Sequence, residues 1–250
     1  LREDDLWLDA TASGHAAFPP PGMDQGAYVL VVDGAASRPR TTPAPGVGRS
    51  RQRFELAAGA DPGQLTLKLA TEDAGEAADL RRQRLAGSRD PRRVARWVQQ
   101  MFPGAEVVGE PVLQVVPSRD PTVVEVEARL PRTALTSAGG IRVYPGDLEW
   151  LDDLEPRGDR TTPLVLPPSP TLEWTLEVEL GRPPRPLPAA ESLTGGLGTL
   201  GLGIEGLATG YRVRGKLQIR GGVVATADVA ELRAFLVGVG RQLRRPLEVP

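Results

Sequence analysis

The side chains able to do chemistry are few and far apart. His15 is the single histidine, set in a Gly-His-Ala-Ala-Phe stretch whose nearest acid is Asp9. A Ser–His–Asp relay needs that imidazole held between a nucleophile and an acid. No Gly-x-Ser-x-Gly signature accompanies it, so His15 reads as a loop residue. Cysteine is absent, which removes thiolate catalysis, disulfides and cysteine-ligated metals from this chain. The acidic run Asp147, Glu149, Asp152, Asp153, Glu155 and Asp159 offers the hard oxygens that Ca²⁺ prefers, but without the Asp-x-Asp-x-Asp-Gly register of a calcium loop. It reads as a solvated charged loop. Gly195–Gly206 is glycine-rich yet lacks the lysine of a phosphate loop and the strand–helix context of a dinucleotide site, and so reads as glycine-softened strand or loop. Trp97 and Trp174 fall on apolar stripes and Trp7 in an apolar run, leaving Trp150, inside the acidic run, as the one aromatic placed to stack on a sugar. No metal or cofactor is expected.

These residues must be positioned mostly by strands. Tyr211, Val213, Gly215, Leu217 and Ile219 alternate with Arg212, Arg214, Lys216, Gln218 and Arg220, a period of two that makes a strand with one wet, cationic face. Leu172, Trp174, Leu176, Val178 and Leu180 alternate with Glu173, Thr175, Glu177 and Glu179, giving a strand with an anionic face. Opposite charges facing each other stabilise adjacent strands by roughly 0.2–1 kcal/mol per pair, so these two strands are expected to be neighbours. Arg51–Ala57 and Gln64–Ala70 alternate around Asp61-Pro62-Gly63 as a hairpin, and further strands are expected at 105–108, 112–116, 122–130 and 141–144. Tyr28–Val32 reads as a buried strand. Helices are expected at 74–86, at 90–101 with Val94, Trp97, Val98 and Met101 inward, and at 226–243, capped by Thr226 and lined by Val229, Leu232, Leu236, Val239 and Leu243. A short strand closes the chain at 247–249. Together these elements predict a mainly β, antiparallel β-sandwich with a few packed helices.

At 250 residues the chain can bury a sizeable core, and its formal net charge of −2 argues against nucleic acid as a partner. Its cations are almost all arginine, with only Lys68 and Lys216 as lysines, a composition bias without functional content. No apolar run approaches the roughly 20 residues that span a bilayer, and residues 1–25 do not resemble a signal peptide. The chain opens at Leu1 without a methionine, which reads as a piece of a longer protein. Residues 34–49, rich in Pro, Arg, Thr and Gly, read as a linker.

Several short motifs carry a resemblance. Trp7-Leu8-Asp9-Ala10-Thr11 followed by Gly22-Met23-Asp24-Gln25-Gly26 and the aliphatic Ala27–Val32 resembles the end of a bacterial transglutaminase-like core, where a Leu-Asp-Pro-Thr motif precedes a Gln-Gly-aliphatic strand. Phe102–Val107, Arg160–Leu166 and Ala230–Leu236 resemble, in the same order, segments of the β-sandwich domain that follows that core. The resemblance implies that 1–33 is the tail of the core, 34–49 a linker and 50–250 a β-sandwich accessory domain. It also implies an exported or cell-envelope protein whose partner is the upstream core or another protein. In that family a Cys–His–Asp triad does the chemistry, and its acid maps onto Asp9; the family's cysteine and histidine precede it, so His15 is not the triad histidine. Ala10 stands where the family has proline, and Val229 where its terminal helix has tyrosine. The leading expectation is a non-catalytic accessory or interaction module. The alternatives are a C-terminal piece of a processed enzyme contributing Asp9, and a cell-envelope or carbohydrate-binding module using Trp150.

Overall fold

The computed structural model describes residues 27–248 apart from 33, 35–36, 43–47, 62, 86–90, 116–120, 132, 134–139, 157, 159–160, 167–168, 180 and 182–190. The fold is mainly β with a few packed helices, as the alternation of the sequence predicts. Eight strands make its principal sheet: β3 (Arg49–Ala58), β4 (Gln64–Ala74), β5 (Glu106–Gln114), β6 (Thr122–Pro131), β9 (Thr171–Glu179), β10 (Ser192–Gly195), β11 (Gly198–Leu207) and β12 (Gly210–Ile219). They lie in the order β10-β11-β12-β9-β3-β4-β6-β5. Every neighbouring pair is antiparallel except β3–β9, which is parallel.

The sheet has one dry face and one wet face. Register aligns the dry side chains into rows that cross the strands: Tyr211, Val178, Leu56, Leu67 and Ala128 in one, then Val213, Leu176, Phe54, Leu69 and Val126 in the next. All ten are buried. The opposing layer consists of α1 (Glu76–Leu85), α2 (Pro91–Met101), α3 (Glu149–Asp153) and α4 (Val229–Arg244), with two ribbons. The ribbons pair β7 (Gly140–Arg142) with β14 (Pro246–Glu248) and β8 (Leu164–Leu166) with β13 (Gly222–Val224). One hydrophobic cluster joins Leu176 and Phe54 of the sheet to Val98 of α2, Leu151 of α3 and Leu232 and Val239 of α4.

The expected charge pairing between β9 and β12 forms. Lys216 Nζ lies 3.0 Å from Glu173 and Arg212 Nε 2.8 Å from Glu177. Arg51 joins the same row from β3, 3.3 Å from Glu173. The Lys216 hydrogen bond, ahead of the Arg51 contact, holds the Glu173 carboxyl below the usual carboxylate range.

Three local readings need correction. Tyr28–Val31 is a strand, β1, but its Tyr28, Leu30 and neighbouring Val32 are exposed, because its one partner is β2 (Arg38–Thr41) in a separate ribbon. Thr226 does not cap α4: it begins a 3₁₀ turn, and Asp228 precedes the helix without a side-chain cap. The acidic run is not an open loop, since Glu149–Asp153 forms α3 with Leu148 and Leu151 buried.

Gly215 sits on the dry face under the Trp174 ring. An added Cβ would lie 2.0 Å from the ring's Cζ2, and the indole is fixed by its Nε1–H donating to the Val143 carbonyl at 3.1 Å. Gly215→Ala is therefore expected to lower stability by about 1–3 kcal/mol, despite alanine being the better strand residue. Denaturant unfolding measures this, and an unchanged midpoint would contradict the packing.

Candidate functional site

The dry face changes character at one end. Beyond the row of Phe54 and Leu69, the next row is Trp174, Gln52, Thr71 and Val124, and the last is Leu172, Ser50, Asp73 and Thr122. Asp73 is buried, 1% exposed, so its charge needs a partner. Gly75, at φ +60°, ends β4 and starts α1 without an intervening loop, a left-handed conformation that glycine adopts without strain. Two helical turns on, Arg81 returns over the sheet and donates from Nε to Asp73 Oδ2 at 2.8 Å. Its guanidinium carbon also lies 4.5 Å from the centre of the Trp97 ring, so α2 supports the pair through a cation–π contact.

Tyr144 closes the opposite wall. Its backbone N–H donates to the Leu243 carbonyl at the end of α4 (3.1 Å), and its hydroxyl donates to Gln52 Oε1 at 2.9 Å. The ring packs edge-on against Trp174 and Phe54, with centroids 5.1 and 6.2 Å away. Burial pushes the phenol far above its ordinary value, so it stays protonated and acts as a hydrogen-bond donor. Trp150 of α3 is half-buried with its Nε1–H on the Asp147 carbonyl at 3.2 Å, and Arg84 of α1 reaches the Asp147 carboxylate at 3.0 Å.

Between these walls lies a cavity of about 340 Å³. Leu80, Met101, Trp150, Leu154 and Pro170 supply apolar surface, and Asp73, Glu76, Arg81, Tyr144 and Asp147 supply polar groups. Few polar groups converging in an apolar hollow is the usual composition of a ligand site. A second, shallower concavity of about 610 Å³ lies at the wet face beside Arg51, Glu72, Glu173 and Lys216. There the charges already neutralise one another across strands.

Asp9 and His15, the residues named first for catalysis, lie outside the described residues, as do Trp7 and Asp159. Trp97 and Trp174 are core, as their stripes predict. The rest of the acidic run is dispersed, with Asp147 on Arg84 and Asp152 on Arg244, and no group of three or more metal-ligating side chains occurs among the described residues. Gly195–Gly206 forms the β10–β11 hairpin. Sequence reading missed Asp73 and Arg81. The signal for Asp73 was the period-two run Leu65, Leu67, Leu69, Thr71, Asp73, cut short at Ala70 because its last members are polar.

No protein-family model matches the chain, and no curated protein matches it. No helix among the described residues is long and apolar enough to cross a membrane.

Removing one member of a buried pair strands the other. Arg81→Met is expected to cost about 3–5 kcal/mol, and adding Asp73→Leu to the same chain should restore most of it. Denaturant unfolding of the four chains of this cycle tests the pair, and full additivity of the two changes would contradict it.

Proposed function

We propose that this chain is a non-catalytic recognition module, the β-rich accessory domain of a transglutaminase-like protein, and that the cavity between the sheet and α1–α3 is its binding site. The observation that carries the reading is how the cavity's ionisable groups are used. Asp73 is engaged by Arg81 and Asp147 by Arg84, while the Tyr144 phenol is a fixed donor. Groups bound to one another in this way hold a shape and a hydrogen-bonding pattern. Glu76 is the exception, with no partner among the described residues, and the non-catalytic part of the reading rests on the sequence, which has no cysteine and a single histidine. Apolar walls around such a fixed polar set are the usual composition of a ligand site. The place in a transglutaminase-like protein rests on the sequence motifs at 7–32, 102–107, 160–166 and 230–236. The upstream core or another protein of the same assembly would be its partner.

The purified chain, incubated with glutamine-containing and amine-containing peptides, is expected to release no ammonia and form no isopeptide crosslink. Turnover that disappears in Asp9→Ala would overturn the reading and make the chain part of a catalytic centre.

A further inference from the structure

We infer that the cavity takes a small organic cation, an alkylammonium group on an apolar body, with its charge against Glu76 and its carbon chain between Leu80 and Trp150. This rests on the cavity being a recognition site. Five charged residues line it: Asp73, Glu76, Arg81, Arg84 and Asp147. Four of them form two neutral pairs, Arg81 with Asp73 and Arg84 with Asp147. Glu76 is left over. It has no ion pair or hydrogen bond among the described residues, and the one anion a turn further along α1, Asp79, is already bound to Arg82 at 2.5 Å. Among the described residues, the cavity therefore carries one negative charge that no neighbouring cation pairs.

That charge is poorly solvated where it sits. Glu76 is half-buried against the cavity, and burial, with Asp79 as the second cause, raises its carboxyl above the ordinary carboxylate range. The α1 N-terminus beside it offers only partial positive charge, which a cation would complete. The surrounding surface suits the rest of such a molecule. Leu80 stands 48% exposed at the mouth although it is a large apolar residue, and Trp150, Met101 and Leu154 face it from the other elements. A neutral apolar ligand would leave Glu76 further desolvated, and an anion would be repelled. An ammonium on a short alkyl chain satisfies both the carboxylate and the walls.

The direct test is calorimetric titration of the chain with n-hexylammonium, n-hexanol and hexanoate at neutral pH. The ammonium is expected to bind on the order of tenfold more tightly than the alcohol, with hexanoate weakest, as a charge-assisted hydrogen bond in a half-buried site implies. Glu76→Gln should bring the ammonium down to the level of the alcohol while leaving the unfolding midpoint close to that of the parent. Leu80→Arg, which puts a cation at the mouth without touching Glu76, should weaken the ammonium as well. Affinity should also fall as pH is lowered through the raised range of Glu76, which shares the cavity with Asp73, Arg81, Arg84 and Asp147 and its helix with Asp79. Equal binding of all three probes, or an ammonium preference that survives Glu76→Gln, would overturn the inference. Either result would leave the recognition-module reading standing, whereas amide turnover by the chain would remove its non-catalytic part and leave the cavity's preference for an ammonium as it is.

Discussion

A carboxylate placed on the dry face of a sheet must be met by a cation that is equally enclosed, and the polar end of this molecule is arranged around that requirement. Asp73 follows four inward-facing residues of the same strand and takes the next inward position. Its cation cannot come from solvent. Gly75 lets the chain turn directly from β4 into α1, so that Arg81 arrives from only eight residues away. Arg81 in turn fixes where α2 can lie, because its guanidinium covers the Trp97 ring. With α1 and α2 set, the gap between them, Tyr144 and α3 is the cavity. A buried pair of this kind adds little net stability compared with an apolar replacement, but it restricts the arrangements in which the helices can dock.

The strands were legible because alternation survives wherever one face is dry. Leu172–Val178 and Tyr211–Ile219 gave not only two strands but their adjacency, since Glu173, Glu177, Arg212 and Lys216 fall opposite one another. Helix α2 and helix α4 were equally readable from Val94, Trp97 and Val98 and from Leu232, Leu236 and Val239. Helix α1 was expected as a helix, but its buried face was hidden. Its enclosed residues are Ala77, Ala78, Asp79, Arg81, Arg82 and Leu85, and three of them are charged side chains that composition assigns to solvent, while the apolar Leu80 is exposed. Local pattern cannot reveal a buried arginine when its partner, Asp73, lies on another element. The exposure of Tyr28 and Leu30 was hidden for the converse reason: an apolar strand looks the same in sequence whether or not another layer covers it. The cavity was legible only in part, through Trp150, because the groups that define it are brought together by the β4–α1 turn and the end of α4.

The wet face and the edges of the sheet explain why recognition is assigned to the cavity. On the wet face Lys216, Glu173, Arg51 and Glu72 alternate in sign across four strands, a pattern that stabilises the sheet and leaves little net field. At one edge, β5 is interrupted by a bulge between Val108 and Val112, with Gly109 at φ +71° and Pro111 lacking a donor, features that discourage a further strand from pairing there. At the other, β10 is four residues long and α4 packs against it.

The account depends on the Asp73–Arg81 pair being fixed before any ligand arrives, and the Arg81 side chain reports this directly. In a ¹H–¹⁵N spectrum of the free protein at neutral pH, the Arg81 Nε–H should give a distinct signal shielded from exchange with water, since that proton is donated to Asp73 Oδ2 in an enclosed site. An Arg81 signal that exchanges as fast as those of exposed arginines such as Arg53 and Arg214 would mean that the pair opens freely, and the preformed cavity would not exist.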